Sequence, residues 1–140
     1  MDIDTFPRSN VVTADPETTA TDLAAQMAEE DVGSIVITED DEPVGIVTDR
    51  DLTIEVIASG EDPSSMSAED VMESAPVTAD ADAEIFDVLT EMVDAEVRRV
   101  PAVDENGEVA GIVTFDDFVV LFGREIQKLA DIAEAESPSY

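Results

Sequence analysis

Two short segments of the chain combine a hydroxyl and a carboxylate at the start of a predicted helix. Thr48 and Asp51 form the first pair, and Thr114 and Asp117 form the second. This spacing is typical of a helix N-cap, in which the threonine oxygen accepts the N3 amide hydrogen and the aspartate favours the positive helix end. The spacing also suits a nucleoside, because the helix N-terminus presents free N–H groups to phosphate and the carboxylate can accept hydrogen bonds from two ribose hydroxyls. Both interpretations remain open at this level.

Basic residues are scarce, and half of them lie near these pairs. The chain has 36 acidic and six basic residues, with a net charge of −30. Arg50 lies inside the first pair, and Arg98 and Arg99 open the strand predicted to pair with residues 111–114. A guanidinium can bind phosphate bidentately, so these arginines favour an anionic ligand. The alternative is that they pair with the many surrounding carboxylates.

The sequence segments that position these residues are duplicated in the chain. Residues 45–52 return as residues 111–118 with five of eight positions identical, and residues 12–15 recur as residues 77–80. A period this long is not that of a solenoid. It predicts two similar halves related by a pseudo-twofold axis, with two related clefts between them. Asp116 replaces Arg50 in the second copy, so we expect unequal clefts and stronger nucleotide binding beside Asp51.

Each copy is predicted to contain a helix, two short strands and a second helix. Apolar spacing indicates helices over residues 20–30, 49–59, 84–96 and 116–136, and β-branched runs indicate strands over residues 33–38, 44–48, 97–103 and 108–114. Gly60 is expected to end a helix, Ser67 to cap one, and Asn106 with Gly107 to form a hairpin turn. The fold class is therefore α+β, with two small sheets backed by helices.

The repeated motifs, together with residues 69–72 leading into 76–78, resemble a tandem pair of cystathionine-β-synthase (CBS) domains over roughly residues 6–128. The resemblance implies two βαββα-type repeats packed as a pseudo-twofold pair. We expect the first repeat over residues 1–62, the second over 63–134, together one compact module, and a flexible tail over 135–140. It also implies adenosine-containing ligands (AMP, ADP, ATP, NAD or S-adenosylmethionine) in the clefts and, in many members, a homodimer.

The resemblance also assigns roles to individual residues. Asp51 and Asp117 would hold ribose hydroxyls, and Thr48 and Thr114 would face the phosphate or ribose. Thr13 and Thr78, with their neighbours, would line the base pockets. Together with Arg50, Arg98 and Arg99, these residues are the predicted ligand-binding set; no catalytic residue, metal ligand or cofactor is expected.

Composition excludes several classes of function. The chain has no cysteine and no histidine, so thiolate chemistry and the commonest general base are absent. Its negative charge disfavours nucleic acid and anionic membranes as partners. No apolar run is long enough to span a membrane and no signal peptide is evident, so we expect a cytoplasmic protein. The acidity indicates adaptation to a salt-rich cytosol, because molar salt shortens the Debye length to about 3 Å and screens self-repulsion.

Three functions compete at this stage. The first is a non-catalytic sensor that binds an adenosine compound and signals to an unidentified effector protein. The second is an interaction or dimerisation module with no nucleotide ligand. The third is metal-assisted phosphoester hydrolysis with Asp49, Asp51, Asp116 and Asp117 as Mg²⁺ ligands. A phosphate-cradling glycine-rich loop is missing, which weighs against the third.

Overall fold

The computed structural model describes residues 11–136, and within them the two halves repeat one order of elements. The first half contains β1 (Thr13–Ala14), α1 (Ala20–Glu30), β2 (Ser34–Glu39), β3 (Glu42–Thr48) and α2 (Asp49–Asp51), which continues as a π-helix (Leu52–Ala58). The connection contains α3 (Ala68–Val71) and β4 (Glu73–Ser74). The second half contains β5 (Ala79–Asp80), α4 (Ile85–Ala95), β6 (Arg99–Val103), β7 (Val109–Thr114) and α5 (Phe115–Glu136). Each half is therefore βαββα, as the resemblance implied.

Each half has its own small sheet. The first sheet has the order β1-β2-β3-β4, with β1 parallel to β2 and the other neighbours antiparallel. The second has the order β5-β6-β7, with the same parallel and antiparallel pairing. The α+β prediction with two small sheets backed by helices is confirmed.

Each sheet packs against helices to form a separate apolar core. In the first half Leu23 of α1 packs with Ile35 and Val47 of the hairpin. In the second half Ile85 of α4 packs with Val100 and Val113. All of these side chains are fully buried, which follows from the helical apolar spacing and the β-branched strands. No helix in residues 11–136 combines the length and apolar character needed to cross a membrane.

The two hairpins turn differently and contact each other. Gly107 has φ +79° in the predicted Asn106–Gly107 turn. The first hairpin instead turns at Asp40 and Asp41, with φ of 50° and 65° in the left-handed region where non-glycine residues are uncommon. Val109 donates a backbone hydrogen bond of 2.9 Å to the Asp41 carbonyl. The turns therefore join the halves.

The residues predicted to begin or end helices are also found at those positions. Ser67 donates its backbone N–H to Asp70 at 2.9 Å in a capping box at the start of α3. Gly60 adopts φ +72° two residues after the π-helix ends, as predicted for a terminating glycine. The π-helix itself was not predicted, because apolar spacing does not distinguish i→i+5 from i→i+4 bonding.

Candidate functional site

Both threonine–aspartate pairs form a reciprocal helix cap. Thr48 donates its backbone N–H to Asp51 Oδ2 at 2.8 Å, and Asp51 donates its own to Thr48 Oγ1 at 3.1 Å. Thr114 and Asp117 repeat this with distances of 2.8 and 3.3 Å. The capping interpretation is therefore correct in both copies. The cap uses one carboxylate oxygen of Asp51, and no hydrogen bond within residues 11–136 is found at Oδ1.

Backbone hydrogen bonds attach the start of each helix to its own hairpin. Asp49 donates its backbone N–H to the Gly33 carbonyl at 3.0 Å, and Phe115 donates the equivalent bond to the Arg98 carbonyl at 2.8 Å. In the register of the second hairpin Arg99 lies opposite Thr114. The start of each helix is therefore bonded to the residue immediately before the first strand of its own hairpin.

The first cleft, called the Asp51 cleft, has a volume of about 500 Å³. Ile46, Thr48, Arg50 and Asp51 line it from the first half, and residues 95–99 line it from the second. Glu73 and residues 75–77, from β4 and the chain after it, complete the wall. A molecule in this cleft would contact both halves of the chain.

Three arginines meet in the Asp51 cleft without neutralising partners. Arg50 and Arg98 are exposed, and Arg99 is half-buried. None of the three has a carboxylate oxygen within 4.0 Å among residues 11–136. The Arg98 guanidinium lies over the Phe115 ring, 4.6 Å from its centroid. Among residues 11–136 the structure therefore does not show the ion-paired arginines of the sequence alternative.

The second cleft, called the Thr114 cleft, has a volume of about 320 Å³. Ile112, Thr114 and Asp116 line it from the second half, where the Asp51 cleft has Ile46, Thr48 and Arg50. Val11, Val12, residues 30–34 and Val36 line it from the first half, and Arg99 lines this cleft as well. The two clefts are thus built from equivalent positions, as the duplication predicted.

The nine predicted ligand-binding residues divide into three groups. Thr48, Arg50, Asp51, Arg98 and Arg99 all line the Asp51 cleft. Thr114 lines the second cleft. Asp117, Thr13 and Thr78 are not among the described residues that line either cleft.

The neighbours of the two predicted base-pocket threonines take the lining positions instead. Val12 lines the Thr114 cleft and Val77 the Asp51 cleft, whereas Thr13 and Thr78 are exposed. The Thr13 carbonyl accepts a hydrogen bond from Gln26 Nε2 at 3.2 Å. In each cleft the lining residue is thus the neighbour that precedes the predicted threonine.

Sequence reasoning also missed three lining residues with positive φ. Asp31 and Glu96 end α1 and α4 in the left-handed conformation, each with φ 55°, and Ala75 follows β4 with φ 50°. Glycine is the usual residue at such positions, so these helix ends carried no sequence signal. Left-handed non-glycine residues concentrate at functional sites.

Asp117 differs from Asp51 in burial. Its side chain is among the buried residues, with 8% relative exposure, whereas Asp51 is half-buried. Burial raises the pKa of Asp117 above its ordinary value, and hydrogen bonding from Thr114 opposes that rise only in part. Asp117 thus forms the same cap as Asp51 in a more buried position.

Metal-assisted hydrolysis, the third function considered, would require a set of metal ligands. Among residues 11–136 no group of three or more acidic side chains is arranged to hold a metal ion. Asp49 Oδ1 accepts the Arg50 backbone N–H at 2.9 Å, which uses part of its ligand capacity. The arrangement of the Asp51 cleft suits hydrogen bonding and charge recognition.

Comparison with known proteins identifies relatives that match most of the chain. The CBS domain family model matches residues 2–58 and 68–123. An uncharacterized protein of Methanopyrus kandleri is 42% identical over 113 residues, which cover 80% of this chain and 58% of that protein. The chain therefore spans less than two thirds of the length of this relative.

Solved structures share the fold. The CBS domain pair of protein MJ0100, in complex with 5′-methylthioadenosine and S-adenosyl-L-methionine, superposes with a TM-score of 0.78 at 25% identity, covering 89% of this chain and 98% of that one. A CBS domain protein of Pyrobaculum aerophilum complexed with AMP gives a TM-score of 0.75 at 23% identity, covering 84% and 89%. Both superpositions show that this chain has the fold of these CBS domain structures.

Proposed function

The chain belongs to the CBS domain family, and we propose that it is a non-catalytic sensor that binds an adenosine-containing ligand in the Asp51 cleft and signals to an effector protein. The observation that carries this proposal is the meeting of Asp51 with three arginines that form no ion pair with any described residue, in a cleft walled by both halves. The complex of the related domain pair with two adenosine compounds supports the ligand class.

Each part of the cleft has a physical role in binding. Asp51 Oδ1 accepts hydrogen bonds from the ribose hydroxyls, while Oδ2 stays in the cap. Ile46 and Val77 supply apolar contact for the base. Arg50, Arg98 and Arg99 provide the positive charge that a phosphate requires in a chain of net charge −30. No group in this set is placed to act as an acid or base on the ligand, so binding without turnover is the expected behaviour.

Signalling is possible because the walls of the Asp51 cleft come from both halves of the chain. Residues 95–99 of the second half face Thr48 and Arg50 of the first half across the cleft. A bound ligand contacts both, so it changes the relative free energies of the arrangements of the two halves. The effector is a separate polypeptide or a segment outside this sequence, and it responds to that change.

We also propose that the chain forms a homodimer through α5. Phe115, Val119, Phe122, Ile126 and Leu129 alternate at spacings of four and three, the period of a coiled-coil seam, and all are 40% or more exposed. Gly123 and Ala130 flank one side of this seam and carry no charge, so another helix can approach closely on that side. Such a row of exposed apolar residues fits the same row on a second copy.

The function is tested by isothermal titration calorimetry in molar KCl with AMP, ADP, ATP, NAD and S-adenosylmethionine. Asp51→Asn is the sharpest variant, because its amide oxygen still accepts the Thr48 N–H while the second acceptor is lost. Hydrogen bonds to a charged group contribute about 1.5–3 kcal/mol, so affinity should fall roughly tenfold or more. Arg124→Ala, on the exposed side of α5, is the control.

The other functions give different results in this experiment. Turnover of the bound nucleotide would indicate an enzyme. Absence of binding by any compound to the folded protein would exclude the sensor and leave the interaction module. Equal binding by wild type and Asp51→Asn would place the ligand elsewhere.

A further inference from the structure

The two clefts have the same apolar and hydroxyl groups at equivalent positions. Ile46 corresponds to Ile112, and Thr48 corresponds to Thr114. Val77 of the Asp51 cleft corresponds to Val12 of the Thr114 cleft. The apolar groups that would contact a base and the threonine hydroxyl are therefore retained in both, whereas Asp117, the equivalent of Asp51, does not line the Thr114 cleft.

The charged positions are not retained. Where the Asp51 cleft has Arg50, the Thr114 cleft has Asp116. Arg98 is replaced by Gly33, Arg99 by Ser34, and Ala95 by Glu30. Every one of these four replacements makes the Thr114 cleft more negative.

One basic side chain among the described residues lines the Thr114 cleft, and it is shared. Arg99 lines both clefts, and its Nη2 would lie 3.7 Å from a Cβ placed on Gly33. Glu30, Asp31 and Asp116 line the same cleft. Among the described residues a phosphate there would meet three carboxylates and a single guanidinium, whereas in the Asp51 cleft three guanidinium groups offset the carboxylates of Asp51, Glu73 and Glu96.

We propose that the Thr114 cleft is a second nucleoside site selective for an adenosine compound without phosphate, uncharged or cationic, while the Asp51 cleft takes a phosphorylated one. This proposal rests on the adenosine-binding function proposed above. The smaller volume of the Thr114 cleft, about 320 against 500 Å³, agrees with a ligand that lacks a phosphate chain. The chain would then respond to two classes of ligand at once.

The experiment uses the whole chain in molar KCl, with AMP and adenosine as probes. In wild type, calorimetry is expected to give one AMP per chain, and protein saturated with AMP is expected to bind one adenosine. At the Thr114 cleft we expect adenosine to bind at least tenfold more tightly than AMP. Two AMP per chain with similar affinities, or no adenosine binding to AMP-saturated protein, would overturn the proposal.

The equivalence of the positions provides matched variants. Asp116→Arg should raise the AMP stoichiometry from one to two per chain, and Arg50→Asp should weaken AMP binding while adenosine still binds at the Thr114 cleft. Circular dichroism establishes that each variant is folded, and the wild-type measurements decide the matter if one is not. An AMP stoichiometry unchanged in folded Asp116→Arg would contradict the charge argument.

Failure of the two proposals can be told apart. If AMP binds one site that is insensitive to Asp51→Asn, the function proposed for the Asp51 cleft is wrong. If AMP binds both clefts and one site responds to Asp51→Asn, that function stands and the selectivity proposed for the Thr114 cleft is wrong. Absence of binding by either probe rejects both.

Discussion

Gly45 in β3 packs directly against the Met72 side chain. A Cβ placed on Gly45 would overlap Met72 Sδ and lie 2.8 Å from its Cγ. Gly45 also pairs with Ser74 of β4 in the antiparallel register. The absence of a side chain at Gly45 therefore lets the connection between the halves reach the edge of the first sheet, next to Glu73 and Ala75 of the Asp51 cleft.

Gly45→Ala should lower the free energy of unfolding by about 1–3 kcal/mol, the usual cost of overpacking. Chemical denaturation in molar KCl measures this. In the double variant with Met72→Ala the cost of Gly45→Ala should largely disappear. Additive effects of the two substitutions would show that the contact with Met72 is not the cause.

Asp117→Asn should change how stability depends on pH. Burial raises the pKa of Asp117 in the folded state, so the folded chain holds that proton more tightly than the unfolded chain does. Its contribution to stability is therefore lost as pH rises from about 3.9, the ordinary aspartate value, through the raised value. Asparagine does not titrate and can still accept the Thr114 N–H.

The measurement is urea denaturation of both proteins across this range in molar KCl. The stability of Asp117→Asn relative to wild type should increase as pH rises through the window and be constant above it. A relative stability that stays level from pH 3.5 to 7, or that falls, is the contrary result. Comparison with wild type removes the common effect of the other carboxylates.

Ile126→Gln should weaken the proposed dimer. Burying an isoleucine contributes about 1.5–3 kcal/mol, and a symmetric interface loses two, so the dimer dissociation constant should rise about 100-fold or more. Sedimentation equilibrium in molar KCl measures it. Val120→Gln is the matched control, because Val120 is 46% exposed on the same helix but lies away from the seam. A wild-type chain that is monomeric at all concentrations would exclude the interface.

Potassium chloride should raise the melting temperature by several degrees Celsius between about 0.1 and 2 M. Among residues 11–136 one ion pair is found, between Lys128 and Glu125, so nearly all of the carboxylates there repel one another without local compensation. Salt screens this repulsion. Sucrose at equal osmolality is the control for solvent exclusion and should have a smaller effect. Equal stabilisation by both would argue against an adaptation to salt.

Local patterns in the sequence predicted most of the fold. Each of the long helices and the four hairpin strands begins and ends within two residues of its predicted limits. The exceptions are β1, β4 and β5, of two residues each, which are too short to carry an alternating pattern. Their existence depends on neighbouring strands rather than on their own residues.

The site was predictable where hairpin pairing determines it. Arg99 lies opposite Thr114 in the second hairpin, so its place near a helix start followed from the sequence. The clefts are lined by Val12 and Val77 in place of Thr13 and Thr78. This choice depends on how one half packs on the other. The left-handed residue Ala75 gave no signal because alanine carries no turn preference.

The walls of each cleft come from both halves, which has a consequence for the lifetime of the chain. A ligand that binds only the folded form stabilises it by RT ln(1 + [L]/Kd), about 2.7 kcal/mol at 100 times Kd. Because the ligand bridges the halves, this energy opposes their separation as well as global unfolding. Resistance to proteolysis would then follow the concentration of the ligand, and the abundance of the chain would itself carry the signal.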